Sequence, residues 1–315
     1  MLLLTLPPLL PLRTLLPLGA FMPALPRSAI IPTKNSQLTT FLLFFHYLCL
    51  MKLTFLGTGT SQGVPVIGCH CAVCHSADRR DSRLRTAAMV ECEGKRIVID
   101  AGPDFRQQML REGVEHLDAI LLTHEHKDHT GGIDDVRAFN FVDYPTIHTM
   151  HIFANAPTVA TLKKDFDYAF AVDKYRGVPV IELHTIDEQR PFSVAGIEVV
   201  PIVGHHSDRF RSVGYRFGRL AYITDFSAID PAEEAKLSGV EVLVVNSLRW
   251  EPHDSHFSVH EALELIERVK PERAYLTHMS HRIGLHRSEE SYQRQLRILL
   301  CHRCRRCRYQ RDFYN

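Results

Sequence analysis

The heptapeptide THEHKDH (123–129) puts four metal-competent side chains, His124, His126, Asp128 and His129, within six residues. Residues two apart in an extended segment point the same way. His124 and His126 can then share one metal, while Asp128 and His129 face a second close by. Two adjacent divalent ions suit hydrolysis, since together they ionise a water and neutralise charge building up on the substrate. A softer group lies upstream: Cys69, Cys71 and Cys74, with His70 and His75 beside them. Cys301, Cys304 and Cys307 cluster near the end, and Cys49 and Cys92 are isolated. Thiols at two- and three-residue spacing in a chain this long read as metal ligands rather than disulfides, which points to a reducing, cytoplasmic setting.

The charge distribution agrees. Formal net charge is +1 over 315 residues. Residues 1–50 hold three basic residues and no acid, and residues 287–315 hold eight Arg against three acids, which leaves 51–286 at −7. That acidic middle carries seventeen of the nineteen His. It favours collecting cations and disfavours a groove that tracks nucleic-acid phosphates.

Elements that could position these residues begin at Met51. Residues 1–50 are apolar but broken by six Pro before residue 27, and FLLFFHYLCL (41–50) is about half of the ~20 residues a membrane span needs. The expectation is an apolar Pro-rich extension outside the fold, read as an upstream start artefact ahead of a targeting segment, with no membrane anchor. From 51 on, short apolar runs end in turn residues. LTFL (53–56) runs into Gly57; AAMVEC and RIVIDAG pair around Glu93-Gly94; PDFRQQMLREG (103–113) reads as a helix. AILLT (119–123) is a buried strand that delivers the heptapeptide. IEVVPIV, SVGYRFG, LAYITD, VEVLVVN and ERAYLTH follow as strands, and Ser258 with Glu261 caps the helix SVHEALELIERVK (258–270). Strands first, then alternating helices and strands, suggest a layered α/β sandwich.

HxHxDH after an apolar strand resembles the metallo-β-lactamase superfamily of metal-dependent hydrolases, over about residues 51–286. The resemblance implies an α/β fold, a four-layer αββα sandwich with metals at the edge of two sheets. It also implies the remaining ligands: His206 (with His205 as competitor) in PIVGHHS, Asp225 in YITD and His278 in YLTH. Metal one is then held by His124, His126 and His206, metal two by Asp128, His129 and His278, and Asp225 spans both. GTGTSQGVPVIGCHCAVC (57–74) narrows the match to the cyclic phosphodiesterases of the carbon–phosphorus lyase pathway and their relatives. There a structural zinc is held by CxCxxC and a distant His, here Cys69, Cys71, Cys74 and His281, with His70 and His75 ranked lower. That family also carries a catalytic His before a late helix. His256 fits that place, with His253 and His260 as rivals, and would protonate the departing oxygen. Asp100 in IDAG would orient a ligand His. Arg209 and Arg211 read as a solvated loop, and GTGTSQG as tight turns.

These readings lead to a dinuclear hydrolase with two divalent metals (zinc or manganese) and one structural zinc. It would cleave a small cyclic or linear phosphodiester by a water ionised between the metals, with Asp128 orienting that water. The competing readings are a tRNA 3′-processing-type endonuclease and a zinc-nucleated nucleic-acid-binding module built on CHRCRRCRYQR (301–311), within the atypical Arg/Cys-rich tail 287–315. Self-association into a homodimer is compatible with the sequence.

Overall fold

Neighbouring side chains of a strand point to opposite faces, yet Ile97, Val98 and Ile99 are all fully buried. Such a strand must be covered on both sides. In the computed structural model, which describes residues 51–284, it is. The readings of residues 1–50 and of 287–315, with Cys301, Cys304 and Cys307, lie outside the described residues.

Two sheets account for the strands. The first runs in the order β1 (Lys52–Gly57), β2 (Ala87–Cys92), β3 (Lys95–Ile99), β4 (Ala119–Leu121), β5 (Met150–Ala154), β6 (Ile181–Thr185). The second contains β7 (Phe192–Val194), β8 (Ile197–His206), β9 (Phe210–Phe217), β10 (Leu220–Ile223), β11 (Ala228–Ile229), β12 (Val242–Asn246) and β13 (Arg273–Thr277). Its order is β11-β8-β9-β10-β12-β13, and β7 pairs with β8. The β2–β3 hairpin turns on Glu93 and Gly94, both at positive φ (51° and 75°), the mirror-image turn geometry that matches strand twist.

Three apolar clusters define the layers. Ala88, Val90, Ile97, Ile99 and Leu121 of the first sheet meet Val213, Tyr215, Phe217, Tyr222 and Val244 of the second. The first sheet's other face, including Met89, Val98, Ile120 and Ile152, lies under Phe105, Met109, Val159 and Leu162 from the helices Phe105–Arg111 and Ala156–Asp165. The second sheet's other face, including Ala221, Ile223, Leu243 and Val245, lies under Ala262, Leu263 and Ile266 of the helix Val259–Val269. The result is the helix–sheet–sheet–helix sandwich the sequence suggested. Ser258 caps the last helix as expected: its hydroxyl accepts from the Glu261 amide, and Glu261 reaches back to the Ser258 amide at 2.7 Å.

Topology then concentrates the chemistry. β3 and β4 are parallel, as are β10, β12 and β13, so their carboxyl ends open at one edge. Open parallel sheets bind ligands at that end. Among the described residues, no helix is long and apolar enough to cross a membrane.

Candidate metal centre

Apart from the heptapeptide, whose Asp128 and His129 lie in the helical turn Lys127–Thr130, the site is built where strands end and the backbone turns. Asp100 follows β3, Ser207 follows β8, Asp225 lies two residues past β10, and His278 follows β13. All four have positive φ, between 57° and 68°. Non-glycine residues enter this region at a cost of order 1–3 kcal/mol, and such strain concentrates at functional sites. Here it aims carboxylates and imidazoles off the sheet edge. The heptapeptide loop is fixed against the turn after β3. The Ala101 amide donates to the His129 carbonyl at 2.8 Å, and the Gly132 amide to the Ala101 carbonyl at 2.9 Å. Gly102 permits this approach, because a Cβ there would lie 1.9 Å from the Asp128 carbonyl oxygen.

The side chains gather in two sets. In the first, His124 Nε2 lies 3.0 Å and His206 Nε2 3.2 Å from His126 Nδ1. In the second, His129 Nε2 lies 3.1 Å from Asp128 Oδ2 and 3.3 Å from Asp225 Oδ2, and His278 Nε2 lies 3.1 Å from Asp225 Oδ1. Asp225 also comes within ligand distance of His206 and His256, so it stands between the sets. His206, not His205, joins the edge. His205 is directed to Asp230 instead, at 3.1 Å.

The outer hydrogen bonds set the protons. His129 Nδ1–H donates to Asp100 Oδ2 at 2.6 Å, and His206 Nδ1–H to the Ser255 carbonyl at 2.7 Å. Thr123 Oγ1 donates to Asp100 at 3.0 Å, which leaves its lone pair for His124 Nδ1–H, also at 3.0 Å. In their neutral forms all three imidazoles present an Nε2 lone pair inward. At His129 burial opposes charge, but Asp225, Asp128 and Asp100 outweigh it and hold the imidazole well above the ordinary histidine range, so a cation there would displace the Nε2 proton. His126 Nδ1 carries at most one proton to share between the His124 and His206 lone pairs, and these 3.0–3.2 Å spacings are close to the roughly 3.3 Å edge of a tetrahedral site with nitrogen ligands at about 2.0–2.1 Å. His129 Nε2 and His278 Nε2 are buried with no hydrogen-bond partner, although carboxylates flank them. An orphaned buried nitrogen is costly, and a metal would satisfy it. The residues present thus fit a pair of divalent cations.

Electrostatics point the same way. Burial, reinforced by neighbouring imidazoles, holds His124 well below the ordinary histidine range and lowers His206. Both are neutral and ligand-ready at pH 7. Burial works against charge at Asp225 and Asp128, but His278 and His129 beside them outweigh it and hold both carboxylates far below their usual range. His256 Nε2 lies 2.9 Å from Asp225 Oδ1, and burial takes its imidazole down to about 4. His253 is half-buried and its Nδ1 accepts from the Ser255 amide, while His260 is exposed against Trp250.

The thiols form a second centre. Cys69, Cys71 and Cys74 place their sulfurs 3.2, 3.4 and 3.5 Å from His281 Nδ1. The Cys74 amide, pointing at Cys71 Sγ, is the main reason that thiol falls to about 6, whereas burial lifts Cys74 to about 11. A split of this kind within one cluster marks sulfurs that compete for protons and would release them to a soft cation. His70 and His75 are exposed and pack on each other. His281 reaches the thiols only three residues past His278, on a segment pinned by Met279 N to Thr58 O at 2.8 Å and by an Arg83 guanidinium on the Ser280 and Ile283 carbonyls.

Several contributors escaped sequence reading. Thr123 relays Asp100 to His124, and its only signal was its place before His124. The Ser255 carbonyl holds His206, and Phe210, partly exposed, packs edge-on against His126 with ring centroids 4.8 Å apart. Arg209 is exposed in the turn between β8 and β9, as expected of a solvated loop, whereas Arg211, also exposed, lies on β9 and pairs with His205 in the ladder.

Residues 95–279 match the family described as "Beta-lactamase superfamily domain". A crystal structure of a diphosphatase from the PhnP family is 39% identical, superposes with a TM-score of 0.70, and shares 78% of this chain and 91% of its own length. An octanoyltransferase of Porphyromonas gingivalis is 38% identical over 238 residues, which is 75% of this chain but 47% of that protein. The chain thus spans about half the length of that relative. A ribonuclease Z of Bradyrhizobium diazoefficiens is 44% identical over 86 residues, 27% of this chain and 23% of that protein. Sandwich, edge-borne histidines and these likenesses agree, and the chain belongs to the beta-lactamase superfamily, within the PhnP family, with the metallo-β-lactamase fold.

Proposed function

We propose that the chain hydrolyses a small phosphodiester or a diphosphate ester, using two divalent cations held at the sheet edge. The observation that carries this reading is the convergence of imidazole nitrogens and carboxylate oxygens into two adjacent sets, with Asp225 between them. His124, His126 and His206 are assigned to one cation, Asp128, His129 and His278 to the other, and Asp225 to both. Such cations supply Lewis-acid polarisation of phosphoryl oxygens and a lowered pKa for water. The protein supplies placement. Asp100, Thr123 and the Ser255 carbonyl fix the imidazole tautomers before substrate arrives, so no reorganisation is required during the reaction. Asp128 keeps 15% of its side chain exposed against 2% for Asp225, so it is the carboxylate able to orient an incoming water. His256, neutral at pH 7, holds its Nε2–H against Asp225 Oδ1 at 2.9 Å and is assigned to the departing oxygen, to which that N–H would turn once cations occupy Asp225. Cys69, Cys71, Cys74 and His281 are assigned to a structural zinc, for which three thiolates and one imidazole are a suitable closed set.

The diphosphatase relative supports a phosphorus-centred substrate, and an oxygen–phosphorus–oxygen–phosphorus linkage exposes the same electrophile as a diester. The ribonuclease Z likeness supports RNA as a second reading, weighed down by the −7 charge of residues 51–286. The test is hydrolysis by the zinc- or manganese-loaded protein of bis(p-nitrophenyl) phosphate, cyclic phosphodiesters, diphosphate esters and a structured RNA. Turnover of small esters that disappears in His126→Ala and Asp225→Ala is expected. Unchanged turnover in both variants refutes the assignment, and cleavage of RNA alone favours the second reading.

A further inference from the structure

His151 lies on β5, and Glu182 and His184 lie on β6. His151 pairs directly with Glu182 in the parallel ladder, and His184 is two residues further along, so the three side chains share one face. None of the three belongs to the edge sets. His151 Nδ1 is 3.0 Å from His184 Nε2, and the two Glu182 carboxylate oxygens divide between them, Oε2 at 3.6 Å from His151 Nδ1 and Oε1 at 3.6 Å from His184 Nε2. Both 3.6 Å spacings are too long for a hydrogen bond, yet carboxylate and imidazoles turn toward a common point. Spacings of 3.0–3.6 Å are those of ligands sharing one cation at about 2.0–2.2 Å. Phe153 stacks on the His184 ring, with centroids 4.4 Å apart and planes 16° from parallel, which fixes that imidazole. Among the described residues, the polar side-chain partners of His151 and His184 lie within the trio. With side-chain exposures of 43%, 57% and 31%, the three leave the remaining coordination positions open to water.

We propose that His151, Glu182 and His184 form a third metal site, which takes a borderline divalent cation of the zinc, nickel or copper class. Two imidazoles and one carboxylate favour that class over magnesium or calcium. Its exposure makes it a readily exchanging site, unlike the buried edge sets.

The test is equilibrium dialysis of the full chain against a rising series of free Zn2+, counting zinc per chain in wild type and variants. Because the readout is the difference between proteins, it is independent of how many ions the edge and the thiols hold. The His151→Gln/His184→Gln double variant should carry one zinc fewer per chain in the micromolar range, with unchanged hydrolytic activity. Glu182→Gln, at the most exposed of the three positions, should move the midpoint of that last zinc at least about tenfold, the loss that even outer partners of a ligand cause. Equal zinc counts in wild type and double variant, or an unmoved midpoint in Glu182→Gln, would overturn the site and leave only an imidazole–imidazole hydrogen bond.

Discussion

Asp100→Asn separates the two edge sets. Asp100 is fully buried and accepts three hydrogen bonds, from the Thr123 amide at 2.9 Å, the Thr123 hydroxyl at 3.0 Å and His129 Nδ1–H at 2.6 Å. Asparagine offers one carbonyl oxygen and one NH2 group. If the oxygen serves the two Thr123 donors, the NH2 faces His129 Nδ1. Two donors then oppose each other unless the imidazole moves its proton to Nε2, the atom directed at Asp128 and Asp225. The second set loses a lone pair, whereas His124 keeps its tautomer because Thr123 still has an acceptor. Loss of an outer ligand partner costs about 10–100-fold in metal affinity, or roughly 1.4–2.7 kcal/mol. Loss of a hydrogen bond to a charged group adds roughly 1.5–3 kcal/mol to the destabilisation of the metal-free fold. Competition with a chromophoric chelator reads each metal step. The expected result is one step weakened by one to two orders of magnitude beside one that is unchanged. Equal weakening of both, or of neither, refutes the tautomer relay.

Gly102→Ala should abolish turnover and lower thermal stability, since its Cβ would have to displace the Asp128 backbone from 1.9 Å; circular dichroism melts and an ester assay read both effects. Ser258→Ala removes the cap of the helix Val259–Val269 and should cost about 1 kcal/mol, or roughly 2–4 °C in melting temperature, in a calorimetric scan. Cys71→Ser should release the metal bound at the thiols, detected as one zinc fewer by mass spectrometry under native conditions, with the edge metals retained in the folded fraction. His205→Ala should leave metal content and turnover as in wild type, because His205 faces Asp230; a loss comparable to that of His206→Ala would exchange their roles.

The sandwich was legible wherever strands are buried on both faces, because Ile97, Val98 and Ile99, or the run Leu243, Val244 and Val245, leave no room for a helical polar stripe. β5 and β6 were not legible. They carry His151, Glu182 and His184 on one face, which hid their apolar alternation, and without them the trio has no spacing to notice. The edge was legible where its residues are contiguous, from His124 to His129. The choice between His205 and His206 depends on how β8 ends. Ser207 enters the left-handed region there, which sends His206 to the edge and leaves His205 on the opposite face. Asp100 stood out by its position after a strand, but Thr123 and the Ser255 carbonyl act through hydrogen bonds that no residue-type pattern encodes.

The segment from His278 to His281 places a hard, buried imidazole and a sulfur-gripped one on a common leash. Three residues of chain extend about 10 Å at most, so neither ring can wander far without drawing in the other. On the proposed zinc assignment, chelating or oxidising the thiols would slacken that leash next to the histidine-lined edge, while leaving the sheets behind it intact. If the thiols hold the proposed zinc, the cysteine cluster would act as a tensioner for the sheet edge, as well as a clasp for the loop that bears it.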